Sequence, residues 1–297
     1  MYNAFYKFWR NPFEITPDPS FLFSTKGHRE ALAALCSCVR RRKGIGVLTG
    51  EAGTGKTLLI CCLLRLLKHS DIGYAYVFNS RLSSLEFLQY VAADFGLDAW
   101  SKTKGQVLHE LSKYIVARHQ QRLTTVIVVD EAHDLSTEAL EETRLLTNLE
   151  TAEEKLLQIL LVGHSELDEK LDSLELRQLK QRIAMRSQLE PLDLKETSGY
   201  IRHRLHLAGT NVDGRELFAD EAIERIYCHS RGIARLINTV CENALTTAFL
   251  RQLTRVPPDI IDEVAVDLRL DVPSPTRRTE ENSDPALESD DDPAFMM

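Results

Sequence analysis

The chain has 297 residues, of which 43% are hydrophobic, and a formal net charge of -8. This apolar content is sufficient for a packed core and excludes a disordered protein. The acidic balance disfavours a broad phosphate-binding face. The longest apolar run, Leu58–Leu67, is interrupted by Arg65 and is too short to cross a bilayer, and the N-terminus lacks a secretory signal pattern. We therefore expect a cytoplasmic protein with no transmembrane segment.

The first 25 residues predict an arm rather than a domain. Pro12–Ser24 contains three prolines and three phenylalanines, a composition that favours extended chain docked by its aromatic rings. A helix is predicted next over Lys26–Arg42.

Strand and helix signals then alternate up to residue 193. The predicted strands are Gly46–Thr49, Ile72–Phe78, Thr125–Val129, Leu157–Val162 and Ser187–Leu192. The predicted intervening helices are Lys56–Lys68, Ser83–Phe95, Gly105–His119 and Ser136–Leu149. Strands separated by helices predict an α/β domain over residues 26–193, with a mostly parallel, five-stranded sheet covered on both faces.

Helical patterns dominate residues 194–270, which predicts a small all-helical second domain. Its predicted helices are Glu196–Leu207, Ala219–His229, Gly232–Leu250 and Pro258–Leu268. From Asp271 to the end, Pro, Ser, Thr and acidic residues prevail with almost no apolar content. Such a composition cannot offset the entropy of ordering, so residues 271–297 are expected to be a disordered acidic tail.

A phosphate-binding loop is predicted where the first strand meets its helix. The sequence there fits G-x-x-x-x-G-K-[ST], in which backbone N–H groups and the helix dipole favour bound phosphate. Lys56 would reach the β- and γ-phosphates of ATP, and the Thr57 hydroxyl would bind Mg²⁺. The predicted cofactor-binding residues of this loop are Gly50, Glu51, Ala52, Gly53, Thr54, Gly55, Lys56, Thr57 and Leu58.

An acidic pair follows the third predicted strand, whose last four residues are β-branched. Asp130 and Glu131 are adjacent, so their side chains point in different directions and can take different roles. Asp130 would hold Mg²⁺, and Glu131 would polarise the attacking water as general base. The sequence therefore predicts ATP hydrolysis with ATP and Mg²⁺ as cofactors.

The letters DEAH at Asp130–His133 raise the alternative of a helicase. Helicases of that class need two tandem α/β domains, whereas this chain has one such domain followed by about 75 predominantly helical residues. The sequence also lacks the S-A-T motif of those enzymes, so this alternative is disfavoured.

Several segments beyond the two nucleotide motifs resemble AAA+ ATPases of the ExeA, or general secretion pathway protein A, type, which include a mannose-sensitive haemagglutinin pilus biogenesis ATPase. The likeness covers residues 1 to about 268. Its carriers, besides the phosphate loop, are Asn11–Phe23, Leu145–Thr151, Leu156–Gly163, Glu175–Ile183 and Gly232–Asn238.

This resemblance implies that the helical domain is a lid and that ATP lies between lid and core, at a subunit boundary. It implies that Arg235 is the lid arginine, sensor 2, and that Arg182 or Arg186 is an arginine finger presented to a neighbour's nucleotide. A solvated basic helix face is the alternative for the last two.

The resemblance also suggests roles with open alternatives. Asn79 would orient Glu131, although a turn-forming asparagine is equally compatible with its position. The arm, with Phe13 and His28, would line the adenine pocket or act as a structural clamp only.

Two departures from the family pattern matter. Where members carry Gln-Pro after the fourth-strand glycine, this chain has His164-Ser165, which puts the sensor 1 role of His164 in question. The lid motif G-I-P-R has Ala234 in place of proline, which leaves Arg235 in position. Longer members continue into a membrane segment and a periplasmic peptidoglycan-binding domain, where this sequence has its acidic tail.

The leading expectation is a homo-oligomeric ATPase that drives a secretion, pilus or exopolysaccharide export machine at the cytoplasmic face of the inner membrane. Two alternatives remain: an ATP-dependent DNA-binding regulator like the transposition ATPases, and a nucleotide-dependent scaffold with little hydrolysis. The acidic pI of about 5.7 makes a nucleic-acid partner the less favoured choice.

Overall fold

The computed structural model describes residues 2–68, 71–78, 81–209 and 217–270. The candidate residue Asn79 and the acidic tail at 271–297 lie outside these ranges. The roles predicted for both therefore stay predictions.

A five-stranded sheet forms the centre of the α/β domain. Its strands are β1 (Ile45–Gly50), β2 (Ile72–Val77), β3 (Thr124–Val129), β4 (Leu157–Val162) and β5 (Ile183–Leu189). They lie in the order β2-β3-β4-β1-β5, and every neighbouring pair is parallel. All six residues of β1 and of β4 are buried, as expected for parallel strands covered on both faces. The predicted fold class is confirmed.

The fifth strand was predicted too late in the chain. Ser187–Leu192 was expected, but β5 spans Ile183–Leu189 and pairs with β1 from Ile45 opposite Ile183. Its residues alternate between half-buried and exposed because β5 is an edge strand. Because polar residues on its exposed side interrupt the apolar run, the sequence pattern does not mark where this strand begins.

Helices cover both faces of the sheet. They are α2 (Lys26–Arg40), α3 (Lys56–Lys68), α4 (Ser84–Asp94), α5 (Lys104–Gln120), α6 (Thr137–Leu146), α7 (Glu166–Leu171) and α8 (Arg177–Lys180). The short helix α1 (Tyr2–Phe5) lies in the N-terminal arm and does not cover the sheet. The sequence explains where several begin: the Thr25 side chain caps α2, and Ser83 forms a capping box with Glu86 at the start of α4. Two apolar clusters result, one on each face of the sheet.

Within the described residues, four further helices form the second domain, for which we keep the name lid, and they have an apolar core of their own. They are α9 (Leu194–Leu207), α10 (Asp220–Ser230), α11 (Ala234–Leu250) and α12 (Pro258–Asp267). The N-terminal arm contributes to this core: Phe13 is fully buried edge-on against Phe218, and the Tyr2 hydroxyl donates to Glu242. The arm is therefore fastened to the lid by its aromatic side chains.

None of the helices in the described ranges combines the length and the apolarity that a membrane crossing requires.

The lid begins at a close backbone contact with the turn between α10 and α11. The N–H of Leu192 donates to the carbonyl of Gly232, with an N–O distance of 2.9 Å. Gly232 has φ +75°, and a β-carbon there would lie 1.8 Å from the Leu192 carbonyl oxygen. Only glycine fits this junction, because any side chain would separate the two backbones.

We expect Gly232→Ala to lower the free energy of unfolding by more than about 2 kcal/mol, because it adds a backbone clash to left-handed strain. Urea denaturation monitored by circular dichroism measures the change. Gly105→Ala in α5 is the matched control, since a β-carbon there meets no atom within 4 Å. Equal stability of the two variants would contradict the proposed junction.

Candidate nucleotide site

The phosphate loop connects β1 to α3 and is tightly shaped. Gly53 has φ +84°, a backbone conformation that residues with a side chain rarely adopt, and a β-carbon there would lie 2.8 Å from the β-carbon of Arg235. The Lys56 ammonium donates to the carbonyls of Gly50 and Glu51, both at 2.9 Å. Burial lowers the pKa of Lys56, while the carboxylates of Glu131 and Asp130 act in the opposite direction. The lysine is thus held at the mouth of a loop whose backbone can surround phosphate.

Asp130 lies opposite this loop at the end of β3. Its Oδ2 accepts hydrogen bonds from the hydroxyls of Thr57, at 2.9 Å, and Tyr76, at 2.8 Å, and its Oδ1 accepts from the backbone N–H of Glu131 at 3.0 Å. A hydroxyl and a carboxylate at this separation are the oxygen donors that Mg²⁺ prefers. Thr57 and Asp130 therefore fit a shared Mg²⁺.

Tyr76 is a site residue that the sequence analysis missed. It lies on β2, and burial together with the nearby Asp130 carboxylate raises its pKa, so its hydroxyl keeps its proton at neutral pH and donates a hydrogen bond to Asp130. A tyrosine within an apolar strand is typical of a core residue. What places Tyr76 near Asp130 is its pairing with Val128 in the parallel sheet. That pairing requires the strand register, which the sequence alone does not give.

Glu131 has an unusual backbone and lies beside two histidines. Its φ of +52° is in the left-handed region, a strained position for a non-glycine residue that is common at functional sites. Its Oε2 is 3.6 Å from Nε2 of His164 and 3.6 Å from Nδ1 of His133. The two imidazoles stack with centroids 4.3 Å apart. The structure therefore brings His164 to the candidate general base, and it adds His133, which sequence reasoning used only as part of DEAH.

Arg235 begins α11 and lies against the phosphate loop. Its backbone N–H donates to the carbonyl of Gly53 at 3.2 Å, and its side chain lines the same cleft as Lys56 and Thr57. A guanidinium at the edge of this loop is positioned to contact a bound phosphate.

The cleft between core and lid has a volume of about 890 Å³, including its open mouth. Its remaining wall comes from the arm and from three lid residues that the sequence analysis missed. Arg204 is buried and donates to the Tyr200 hydroxyl at 2.8 Å and to the Glu14 carbonyl at 3.2 Å, and Tyr200 donates to Asn238. The arm residues that line the cleft are Glu14, Ile15, Thr16, Pro17, Asp18 and Phe21.

Two residues suggested for the adenine pocket lie elsewhere. Phe13 is fully buried in the lid core and does not line the cleft, because its ring packs against Phe218; the residues that follow it form the wall instead. His28 is buried beneath the phosphate loop, with Nδ1 2.8 Å from the Thr25 hydroxyl. Burial lowers the pKa of His28, which favours a neutral imidazole, and its Nε2 lies next to Gly55 of the phosphate loop.

The two arginine-finger candidates lie outside this cleft. Arg186 donates to Asp168 at 2.8 Å and to Asp172 at 3.1 Å, whereas Arg182 donates to the Thr147 hydroxyl at 3.2 Å. Neither lines the cleft of its own chain, so either would act only on a neighbouring chain.

Comparison with known proteins extends the assignment. The AAA domain family matches residues 39–171. General secretion pathway protein A of Aeromonas hydrophila is 39% identical over 253 residues, or 84% of this chain. This chain spans only 45% of the length of that relative.

Solved structures share the fold at low identity. The ORC2 protein of Aeropyrum pernix, with ADPNP and ADP, is 17% identical with a TM-score of 0.64, covering 87% of this chain and 71% of that one. Cdc6p of Pyrobaculum aerophilum is also 17% identical, with a TM-score of 0.66, covering 84% of this chain and 71% of its own. Likeness at this identity shows the fold alone.

We expect Tyr76→Phe to raise several-fold the Mg²⁺ concentration needed for nucleotide binding, because Asp130 loses a hydrogen bond that orients its carboxylate. The readout is the Mg²⁺ concentration that half-saturates binding of a fluorescent ATP analogue. Tyr74→Phe on the same strand is the control, since Tyr74 is exposed. Identical Mg²⁺ titrations for both variants would show that Tyr76 only fills space.

Proposed function

Since the chain is an AAA+ protein of the general secretion pathway protein A type, we propose that it binds and hydrolyses ATP in the cleft between core and lid. The observation that carries this proposal is the convergence of Lys56, Thr57 and Glu131 on one cleft that Arg235 also lines, with Asp130 hydrogen-bonded to Thr57. The reaction is phosphoryl transfer to water.

Each residue has a defined task in this proposal. Lys56 and the loop N–H groups bind the β- and γ-phosphates. Thr57 and Asp130 would hold Mg²⁺, which would supply positive charge beside the transferring phosphoryl group. Glu131 accepts a proton from the attacking water, and its partly exposed carboxylate opens to the cleft. His164, 3.6 Å from that carboxylate, orients Glu131 or the water in the place of sensor 1.

The lid and a second copy of the chain complete the site. Arg235 contacts the γ-phosphate from the lid side. The hydrogen bond from its backbone N–H to the carbonyl of Gly53 supports this role. Arg182 or Arg186 of a neighbouring chain reaches the same phosphate as an arginine finger. The active form is therefore a homo-oligomer.

The cellular role follows the similarity to general secretion pathway protein A. The protein couples ATP hydrolysis to the assembly or remodelling of a secretion, pilus or exopolysaccharide export machine, at the cytoplasmic face of the inner membrane. Because the chain matches less than half of that relative, the proposed role rests on the similarity of the shared region alone.

Glu131→Gln should reduce ATP turnover by roughly 10²-fold or more while leaving ATP binding intact, because the amide cannot accept the water proton. Lys56→Ala should lose both turnover and binding. Phosphate release and equilibrium nucleotide binding measure the two effects. Glu138→Gln is the control, an exposed glutamate on the following helix. Undiminished hydrolysis by purified Glu131→Gln protein would refute the assignment.

The arginine finger can be identified by mixing variants. Arg182→Ala or Arg186→Ala should bind ATP normally but lose turnover on the order of 10³-fold if that arginine serves a neighbour. An inactive arginine variant mixed with Glu131→Gln protein should regain activity, because some interfaces then pair an intact base with an intact arginine. Lys180→Ala, which removes another cationic partner of Asp172, is the control. Failure of both mixtures to recover activity would contradict an arginine supplied by a neighbour.

A further inference from the structure

A cluster of metal-binding side chains lies next to the Mg²⁺ site and is distinct from it. The cluster consists of Glu131, which follows β3, His133 in the turn after it, and His164, which follows β4. One ligand atom from each lies within 4.8 Å of the others. The carboxyl ends of the neighbouring parallel strands β3 and β4 bring the connecting segments that carry these residues together.

The donor atoms of this cluster are those of a zinc site, and two of their separations match one. Both imidazole nitrogens, Nδ1 of His133 and Nε2 of His164, lie 3.6 Å from the same oxygen, Oε2 of Glu131. Ligands about 2.0–2.2 Å from a tetrahedral Zn²⁺ are about 3.3–3.6 Å apart. Coordination would require the two stacked rings to turn out of their parallel arrangement, and Nδ1 of His133 to release the backbone N–H of His164, 3.4 Å away. Glu131 and His164 line the cleft, which leaves a fourth position for water.

Neighbouring groups support this use of the histidines. The other ring nitrogen of His164, Nδ1, is 3.7 Å from Oε2 of Glu166, so a carboxylate lies near the nitrogen that a metal would leave free, although beyond hydrogen-bond distance. Lys170 donates to the backbone carbonyl of His133 at 3.1 Å. Gly163 leaves room for the cluster, since a β-carbon there would lie 3.3 Å from Nδ1 of His133.

The geometry points to a second metal site at Glu131, His133 and His164 that binds Zn²⁺ or a similar borderline-soft divalent cation. Imidazole nitrogen suits zinc, copper and nickel, whereas Mg²⁺ prefers the oxygen donors of Thr57 and Asp130. The two sites therefore select different metals although they lie side by side.

Binding at this second site would inhibit turnover. Zinc coordinated by Glu131 would draw electron density from the carboxylate and lower its basicity, so that it would no longer take the proton of the attacking water while ATP and Mg²⁺ still bind. This consequence rests on the proposed ATP hydrolysis, but the metal site itself does not. Bound zinc would therefore hold the protein in its ATP-bound form.

Metal binding is measured first, on the nucleotide-free full chain after chelator dialysis. Zn²⁺ titration against a chromophoric chelator should show one site of this kind in the wild type and in His109→Ala, an exposed histidine on α5. His133→Ala and His164→Ala should each bind at least about tenfold more weakly. Co²⁺ should give visible absorption of tetrahedral intensity in the wild type and lose it in both cluster variants.

Inhibition is measured second, with saturating Mg²⁺-ATP and buffered free Zn²⁺. The rate of each protein is normalised to its own rate in chelator, so no basal activity has to be assumed. Wild type and His109→Ala should be inhibited at the same zinc concentration, whereas His133→Ala should need at least about tenfold more.

The outcomes separate the two hypotheses. Equal zinc affinity in His109→Ala, His133→Ala and His164→Ala would overturn the metal site, as would the absence of a zinc site in the wild type. Zinc bound by the wild type without any loss of rate would overturn the inhibition. Zinc and cobalt binding at the cluster in a protein that shows no ATPase under any condition would support the site and contradict the proposed function.

Discussion

The hydrogen bond between the Thr57 hydroxyl and the Asp130 carboxylate is the contact on which the site depends. The two residues follow β1 and β3, which are not neighbours but are separated by β4. They meet only because all the strands run in the same direction and end at one edge of the sheet. Tyr76 extends this arrangement to β2, so three segments of the sheet control one carboxylate. A shift in the register of any of them would separate the Mg²⁺ donors from the phosphate loop.

The crowding at this sheet edge has a chemical price and a chemical use. Lys56 is buried beside two carboxylates, and Glu131 is held in a left-handed backbone conformation. Both features cost free energy that the packed sheet must supply. In return, groups of opposite charge and different acidity lie within a few ångströms, which is the condition for selective proton and phosphoryl transfer. The same crowding places nitrogen ligands beside oxygen ligands.

The sequence predicted what is local and missed what depends on tertiary packing. The phosphate loop and the Asp130–Glu131 pair are contiguous in sequence, so their motifs and the fold class could be recognised without the structure. Edge strand β5 was misplaced because its solvent-facing polar residues hide its apolar periodicity. Arg204 and Tyr200 were missed because their contacts with Glu14 and Asn238 join segments far apart in the chain. Two roles were open for Phe13, in the adenine pocket or in a structural clamp. Its ring packs against Phe218 in the lid core, and that placement depends on side-chain packing.

The aromatic arm shares its core with the lid, and this has a mechanical consequence. Arm residues Glu14–Asp18 form one wall of the cleft, yet the residues before them are packed among lid side chains. Any rotation of the lid therefore carries the N-terminus and that wall with it as a single body. The Trp9 side chain is exposed, and the backbone N–H of Trp9 donates to the carbonyl of Ala208 at the end of α9. The protein thus carries a tryptophan fluorophore fixed to its moving part, outside the nucleotide cleft.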